Sequence, residues 1–185
     1  MNTVANRAAI LVRKGIKVAN VLALTTSVSL EIDGTCIVSV YSSPNEENVE
    51  HLQEVATHMT KSNAPLVITG DFNTRWRPFT NLPIRPRDIE FQDFVLTNDL
   101  KVDNDGTSTC THQGRLSTND YTMTKNNSEV TNWEVKEEDS LSDHRYIMFN
   151  VNCSKNGRET KKEIGHRKVK ESATGPTRPA RVHKP

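Results

Sequence analysis

Three polar groupings in this chain combine residue types that can do chemistry together. The segment 65–75, PLVITGDFNTR, runs from apolar residues straight into a carboxylate and an amide, Asp71 and Asn73, with Phe72 between them. Asn119 and Asp120 lie within STNDYTMT, and Ser142, Asp143 and His144 open a later apolar run. A carboxylate orients an imidazole and stabilises its charged form. Hard oxygen ligands suit Mg²⁺, and a neutral amide holds a phosphate oxygen without adding repulsion. Each grouping also has a plain reading. Gly-Asp after a strand makes a turn, Ser142 and Asp143 can bond the local backbone, and a lone histidine is usually a satisfied surface or core residue. Asp120 is harder to dismiss, because acids are depleted inside strands.

The elements that must position these groups can be read from pattern. Segments 7–12, 16–24, 26–33 and 35–41 are rich in β-branched residues, and Asp33-Gly34 is a strong hairpin signal between the last two. A helix follows, with Asn45 as its cap and Val49, Leu52, Val55 and Met59 on one face. Residues 64–69 read as a strand covered on both sides, 74–87 as a loop, and 87–100 as a second helix burying Ile89, Phe91, Phe94 and Val95. Segments 107–112 and 116–124 read as a strand pair joined over Gln113-Gly114, and 132–137 as a weak strand. From 142 to 151 a final strand alternates, with Ile147, Phe149 and Val151 on one face. The pattern is α/β in the α+β sense, strand-rich with two helices, and not a regular βαβ alternation.

At 185 residues the chain has room for one domain with a real core. Its 24 basic and 23 acidic residues divide unevenly: from Ser154 onward ten Lys/Arg face three Glu, leaving 14 basic and 20 acidic residues before it. Residues 1–153 therefore read as an acidic domain, and 154–185 as a basic, disordered tail or linker. Cys36, Cys110 and Cys153 show no CxxC spacing and read as the reduced thiols of an intracellular protein. No apolar run is long enough to span a membrane.

Together, VSVYSSP, VITGDFNTR, STNDYTMT and SDHRYIMFNV resemble the endonuclease/exonuclease/phosphatase superfamily. More narrowly, they resemble the apurinic-endonuclease-like domain of non-LTR retrotransposon polyproteins. The likeness runs from about Arg7 to Val151, and the order GDFN, S-x-x-D-Y, SDH makes it specific. It implies a layered sandwich of two packed mixed β-sheets flanked by helices, and metal-assisted hydrolysis of a phosphodiester with Mg²⁺ (or Mn²⁺) as cofactor. By the same likeness Asp71 positions or deprotonates the attacking water, Asn73 contacts the scissile phosphate, and Asp143 helps bind the metal. His144 contacts a phosphate oxygen or handles a proton, oriented by Asp120, which Ser117 supports. Tyr41 matches a tyrosine that approaches the phosphate, and reads equally as a packing aromatic at a strand end. His112 matches no role. The implied substrate is one strand of nuclear target DNA, nicked to prime the reverse transcriptase carried by the same polyprotein.

The chain departs from that pattern at its start. The resemblance calls for two opening strands, the first bearing an asparagine and the second ending in a glutamate that is the main metal ligand. Residues 7–24 match the strands after them. The expectation is a domain lacking its first strands, with weak or absent activity of its own. Two other functions fit the same residues: a phosphomonoesterase of the superfamily, and a non-catalytic nucleic-acid-binding remnant whose basic tail contacts phosphates.

Overall fold

The computed structural model describes residues 7–138, 140–155 and 158–164. Its main sheet has six strands in the order β1-β2-β3-β4-β8-β5. These are β1 (Ala19–Ala23), β2 (Ser27–Ile32), β3 (Thr35–Tyr41), β4 (Leu66–Asp71), β5 (Lys101–Val102) and β8 (Asp120–Lys125). β3 and β4 are parallel and joined through helix α1 (Asn48–Lys61), whereas the other pairs are antiparallel. Helix α2 (Pro86–Thr97) links β4 to β5. A hairpin, β6 (Cys110–His112) with β7 (Arg115–Ser117), precedes β8, and β9 (Glu129–Val135), β10 (Ile147–Lys155) and β11 (Arg158–Ile164) form an antiparallel second sheet.

Side-chain alternation along β4 sorts the layers. Leu66, Ile68 and Phe72 join Val38, Val40, Tyr121 and Met123 in a core closed by Leu52 and Val55 of α1 and by Phe91 and Val95 of α2. Val67 points the other way and packs with Phe149 and Val151 of β10, flanked by Val130 and Trp133 of β9. Trp133 Nε1 donates to Thr122 Oγ1 across this seam at 3.0 Å. The result is the expected α/β layering, a mixed main sheet with helices on one face and a second sheet on the other; among the described residues the second sheet is antiparallel, not mixed.

Several local expectations are corrected. Residues 7–12 form no strand, and β1 is largely exposed along the sheet edge. Glu47, not Asn45, occupies the N-cap position of α1, with no side-chain cap bond, and Val49 is 44% exposed while His51 and His58 are buried. Their partners explain this. His58 sits between the hydroxyls of Ser27 (2.9 Å) and Ser29 (2.8 Å), and Glu54 accepts from the backbone and hydroxyl of Thr26 and the hydroxyl of Ser27. This helix–sheet contact thus has a polar part, invisible to an apolar periodicity count. Ile89 of α2 is exposed, and the 74–87 loop holds a short 3₁₀ turn, Arg77–Phe79. Segment 116–124 is two strands: its start pairs with β6, and the rest enters the main sheet as β8. Residues 142–146 make only a bridge, Cys110 with His144, before β10 begins at Ile147. Of the expected tail, 154–185, the start ends β10 and 158–164 form β11 of the second sheet, while 156–157 and 165–185 lie outside the described residues.

Candidate active site

Register places the candidate groups in a row. Tyr41 at the end of β3 is level with Asp71 at the end of β4, which is paired with Asp120 at the start of β8. By alternation all three belong to the seam face of the main sheet, and the row ends where the two sheets meet.

The GDFN segment builds the middle of the row. Gly70 has φ +151°, and a Cβ there would lie 2.0 Å from the Val40 carbonyl oxygen, so only glycine lets β4 run this close to β3. Phe72 is fully buried on the helix side, its ring 5.0 Å from Phe91 and 6.2 Å from Tyr121. This anchor fixes the carboxylate before it and the amide after it. Asn73 has φ +49° and folds back: its N–H donates to Asp71 Oδ1 (2.9 Å), and its Nδ2 donates to Asp71 Oδ2 (2.8 Å) and to the Ser42 carbonyl (3.0 Å). Both amide hydrogens are committed to protein acceptors, so contact with a phosphate requires one of these bonds to be exchanged.

His144 closes the site from the second sheet's side. Its Nδ1 lies 2.9 and 3.1 Å from the two oxygens of Asp120, and its Nε2 lies 3.8 Å from Asp71 Oδ2, too far for a direct hydrogen bond. The Asp120 hydrogen bond raises the His144 pKa above the ordinary histidine value, against the effect of burial. Burial, with Asp120 opposite, pushes Asp71 up to about 6, although Asn73 and His144 oppose the shift. The result is a carboxylate with a raised pKa beside an imidazole whose charged form is favoured over that of an ordinary histidine.

Asp120 is steadied by Thr109, not Ser117. The fully buried Thr109 hydroxyl donates to Asp120 Oδ2 at 2.7 Å and accepts from the backbone of Asn119 and Asp120. Ser117 instead pairs with Cys110 in the hairpin. Nothing in the type or position of Thr109 distinguishes it in sequence. Asp143 pairs with His112, its Oδ2 2.6 Å from His112 Nδ1, both groups largely exposed, and its charge adds to those that raise the His144 pKa. His112 thereby ties the hairpin to the loop carrying His144. Another missed group lies behind Asn73. Asp88 accepts from the backbone of Arg75 and from the Arg85 side chain, and Arg85 Nη2 donates to the Asn73 carbonyl at 3.0 Å.

A divalent cation does not fit the described residues as they stand. Asp71 is engaged by Asn73, Asp120 by His144 and Thr109, and Asp143 by His112, and among the described residues no three His, Cys, Asp or Glu groups converge as a metal site. Mg²⁺ is commonly held through one or two free carboxylates with water completing its octahedron, and each of these three carboxylates is already engaged by a protein partner.

Comparison with solved structures finds this fold in the endonuclease domain of TRAS1, a telomere-specific non-LTR retrotransposon. The TM-score is 0.61 at 18% identity, over 71% of this chain and 66% of that domain. An AP endonuclease from Archaeoglobus fulgidus matches at TM-score 0.55 and 11% identity, over 72% of this chain and 71% of that one. The 3′ phosphatase NExo from Neisseria, bound to a product DNA hairpin, matches at 0.52 and 16%, over 66% of this chain and 63% of that one. At these identities the likeness is one of fold. Comparison with curated proteins gives no match. The family model described as endonuclease-reverse transcriptase matches residues 35–148, which hold α1, the GDFN segment, the hairpin and His144. That span is more than half of the 185 residues, and the chain belongs to the endonuclease-reverse transcriptase family.

Proposed function

We propose that this domain hydrolyses phosphodiester bonds in DNA, nicking one strand. The carrying observation is the placement of His144 between two carboxylates, Asp120 holding its Nδ1 and Asp71 facing its Nε2. Asp71, with its pKa raised to about 6, accepts the proton of an attacking water at neutral pH. His144, whose charged form Asp120 favours, directs its Nε2–H to a phosphate oxygen as negative charge builds there. Asn73 fixes Asp71 and exchanges one of its amide bonds for the phosphate, while Tyr41 stands at the far end of the row.

Mg²⁺, or Mn²⁺, would neutralise phosphate charge when bound. The described residues leave its ligand set incomplete, so no step is assigned to it and hydrolysis by the chain alone is slow. In a polyprotein with a reverse transcriptase, the nick would supply the priming 3′-hydroxyl, which places the protein in the nucleus. The test is relaxation of supercoiled plasmid with Mg²⁺ or Mn²⁺. Slow nicking lost in both Asp71→Asn and His144→Ala supports this function, and nicking that survives either substitution contradicts it.

A further inference from the structure

Arg87, in the first turn of α2, lays its guanidinium along the loop that leaves β3. Its Nη1 donates to the Pro44 carbonyl at 2.8 Å, and its Nη2 donates to the Ser43 carbonyl at 3.0 Å and the Ser42 hydroxyl at 3.3 Å. Three consecutive loop residues hang on one side chain. None of these acceptors is a carboxylate, so the contacts fix backbone without pairing charge. Burial and the neighbouring Arg85 work against the Arg87 charge, which Asp88, Glu90 and Asp71 favour.

The loop that Arg87 holds carries an acceptor of the candidate site. The Ser42 carbonyl accepts from Asn73 Nδ2 at 3.0 Å, and the Ser42 N–H donates to the Asp71 carbonyl at 2.8 Å. The fully buried Ser42 hydroxyl donates to Asn48 Oδ1 at 3.0 Å, and Asn48 Nδ2 donates to the Arg87 carbonyl at 3.2 Å. Arg87, Ser42 and Asn48 thus close a ring of hydrogen bonds that joins α2, the loop and the start of α1, and each member restrains the others. The other acceptor of the Asn73 amide, Asp71 Oδ2, is a side-chain oxygen outside this ring. Of the two bonds on that amide, the one to Ser42 has the fixed acceptor.

We propose that Arg87 is a positioning residue for hydrolysis: through the Ser42 carbonyl it holds the Asn73 amide, so that the bond exchanged for the scissile phosphate is the one to Asp71 Oδ2. The proposal rests on the reading of the row as a phosphodiesterase site. Arg87 acts from behind the row, through Ser42 and Asn73. Oδ2 is also the Asp71 oxygen that faces His144 Nε2, and the exchange leaves it open to the proton of the attacking water. One movement then gives the phosphate a donor and the water an acceptor.

The test is Arg87→Lys in the full chain, which keeps the charge but has one nitrogen where the loop uses two. In plasmid nicking with Mg²⁺ or Mn²⁺, kcat is expected to fall about tenfold with KM within about twofold, because positioning is lost and strand binding is kept. In ¹⁵N NMR spectra without DNA or metal, the Asn73 side-chain amide, assigned by its absence in Asn73→Asp, is expected to lose protection from hydrogen exchange. The Asn104 amide, which donates to the Asp120 carbonyl, keeps its protection. Should Arg87→Lys lose its cooperative melt, Ser42→Ala, which removes one link of the ring and keeps the carbonyl, decides by the same two readouts. Wild-type-like protection of the Asn73 amide, an unchanged kcat, or a loss carried by KM alone would overturn the proposal. Lost protection in a chain whose wild type leaves plasmid supercoiled would leave the link from Arg87 to Asn73 standing and count against the hydrolytic function.

Discussion

Asp71 is where residue-scale chemistry and stability meet. Its folded pKa of about 6 lies above the ordinary aspartate value of 3.8, so the folded protein binds the extra proton. Stability from that proton is fully present below about pH 4 and is lost as pH rises through 6. At neutral pH the ionised carboxylate costs up to about 3 kcal/mol, from 1.36 kcal/mol per pKa unit. Asp71→Asn is therefore expected to melt higher than wild type at pH 7.5 and alike at pH 4, while losing hydrolysis. Equal melting temperatures at both pH values would refute the burial argument. The wild-type rate should climb through pH 6 as Asp71 ionises. The types and order of Tyr41, Asp71, Asn73, Asp120 and His144 were legible in sequence, and the fold brings them to one place. Thr109 and Arg85 were not, because a threonine just before a strand and an arginine in a loop are ordinary until their partners are known. Asp143 was legible as an acid beside a histidine, but the histidine it pairs with is His112, 31 residues back.

At the scale of elements, close approach of β3 and β4 and the anchor between them set the site. Gly70→Ala places a methyl group against the Val40 carbonyl, 2.0 Å from its oxygen, where backbone must move. A loss of about 3 kcal/mol or more in denaturant titration is expected. A loss below about 1 kcal/mol would show that the strands can part without cost. Phe72→Ala removes the ring from its contacts with Phe91 and Tyr121 and is expected to cost about 3–5 kcal/mol. Turn chemistry made two hairpins readable, since Asp33-Gly34 and Gln113-Gly114 both adopt positive φ. The polar face of α1 was not readable, because His58 lies between the hydroxyls of Ser27 and Ser29 on β2 and His51 meets that of Thr26 just before it. Burial lowers the pKa of both histidines, so the folded state resists protonating them, and the stability they support is present above about pH 6.5 and lost as pH falls below it. His58→Gln should flatten that acid limb in thermal melts, and an unchanged limb would assign it to other groups.

For the whole molecule, the layered architecture followed from alternation of apolar strands and two amphipathic segments. The division of charge also showed in the sequence. What composition could not show was that Arg75, Arg85 and Arg115 of the acidic body line one groove, because opposite charges scattered along a chain average out until folding sorts them. The central claim is that Asp71 and His144 act together on a phosphodiester. Supercoiled plasmid should be nicked slowly by the wild-type chain in Mg²⁺ or Mn²⁺, and Asp71→Asn, His144→Ala and the double variant should all fall to the same background, as groups acting as one unit do. A wild type that leaves the plasmid supercoiled, or single variants that nick at the wild-type rate, would contradict it.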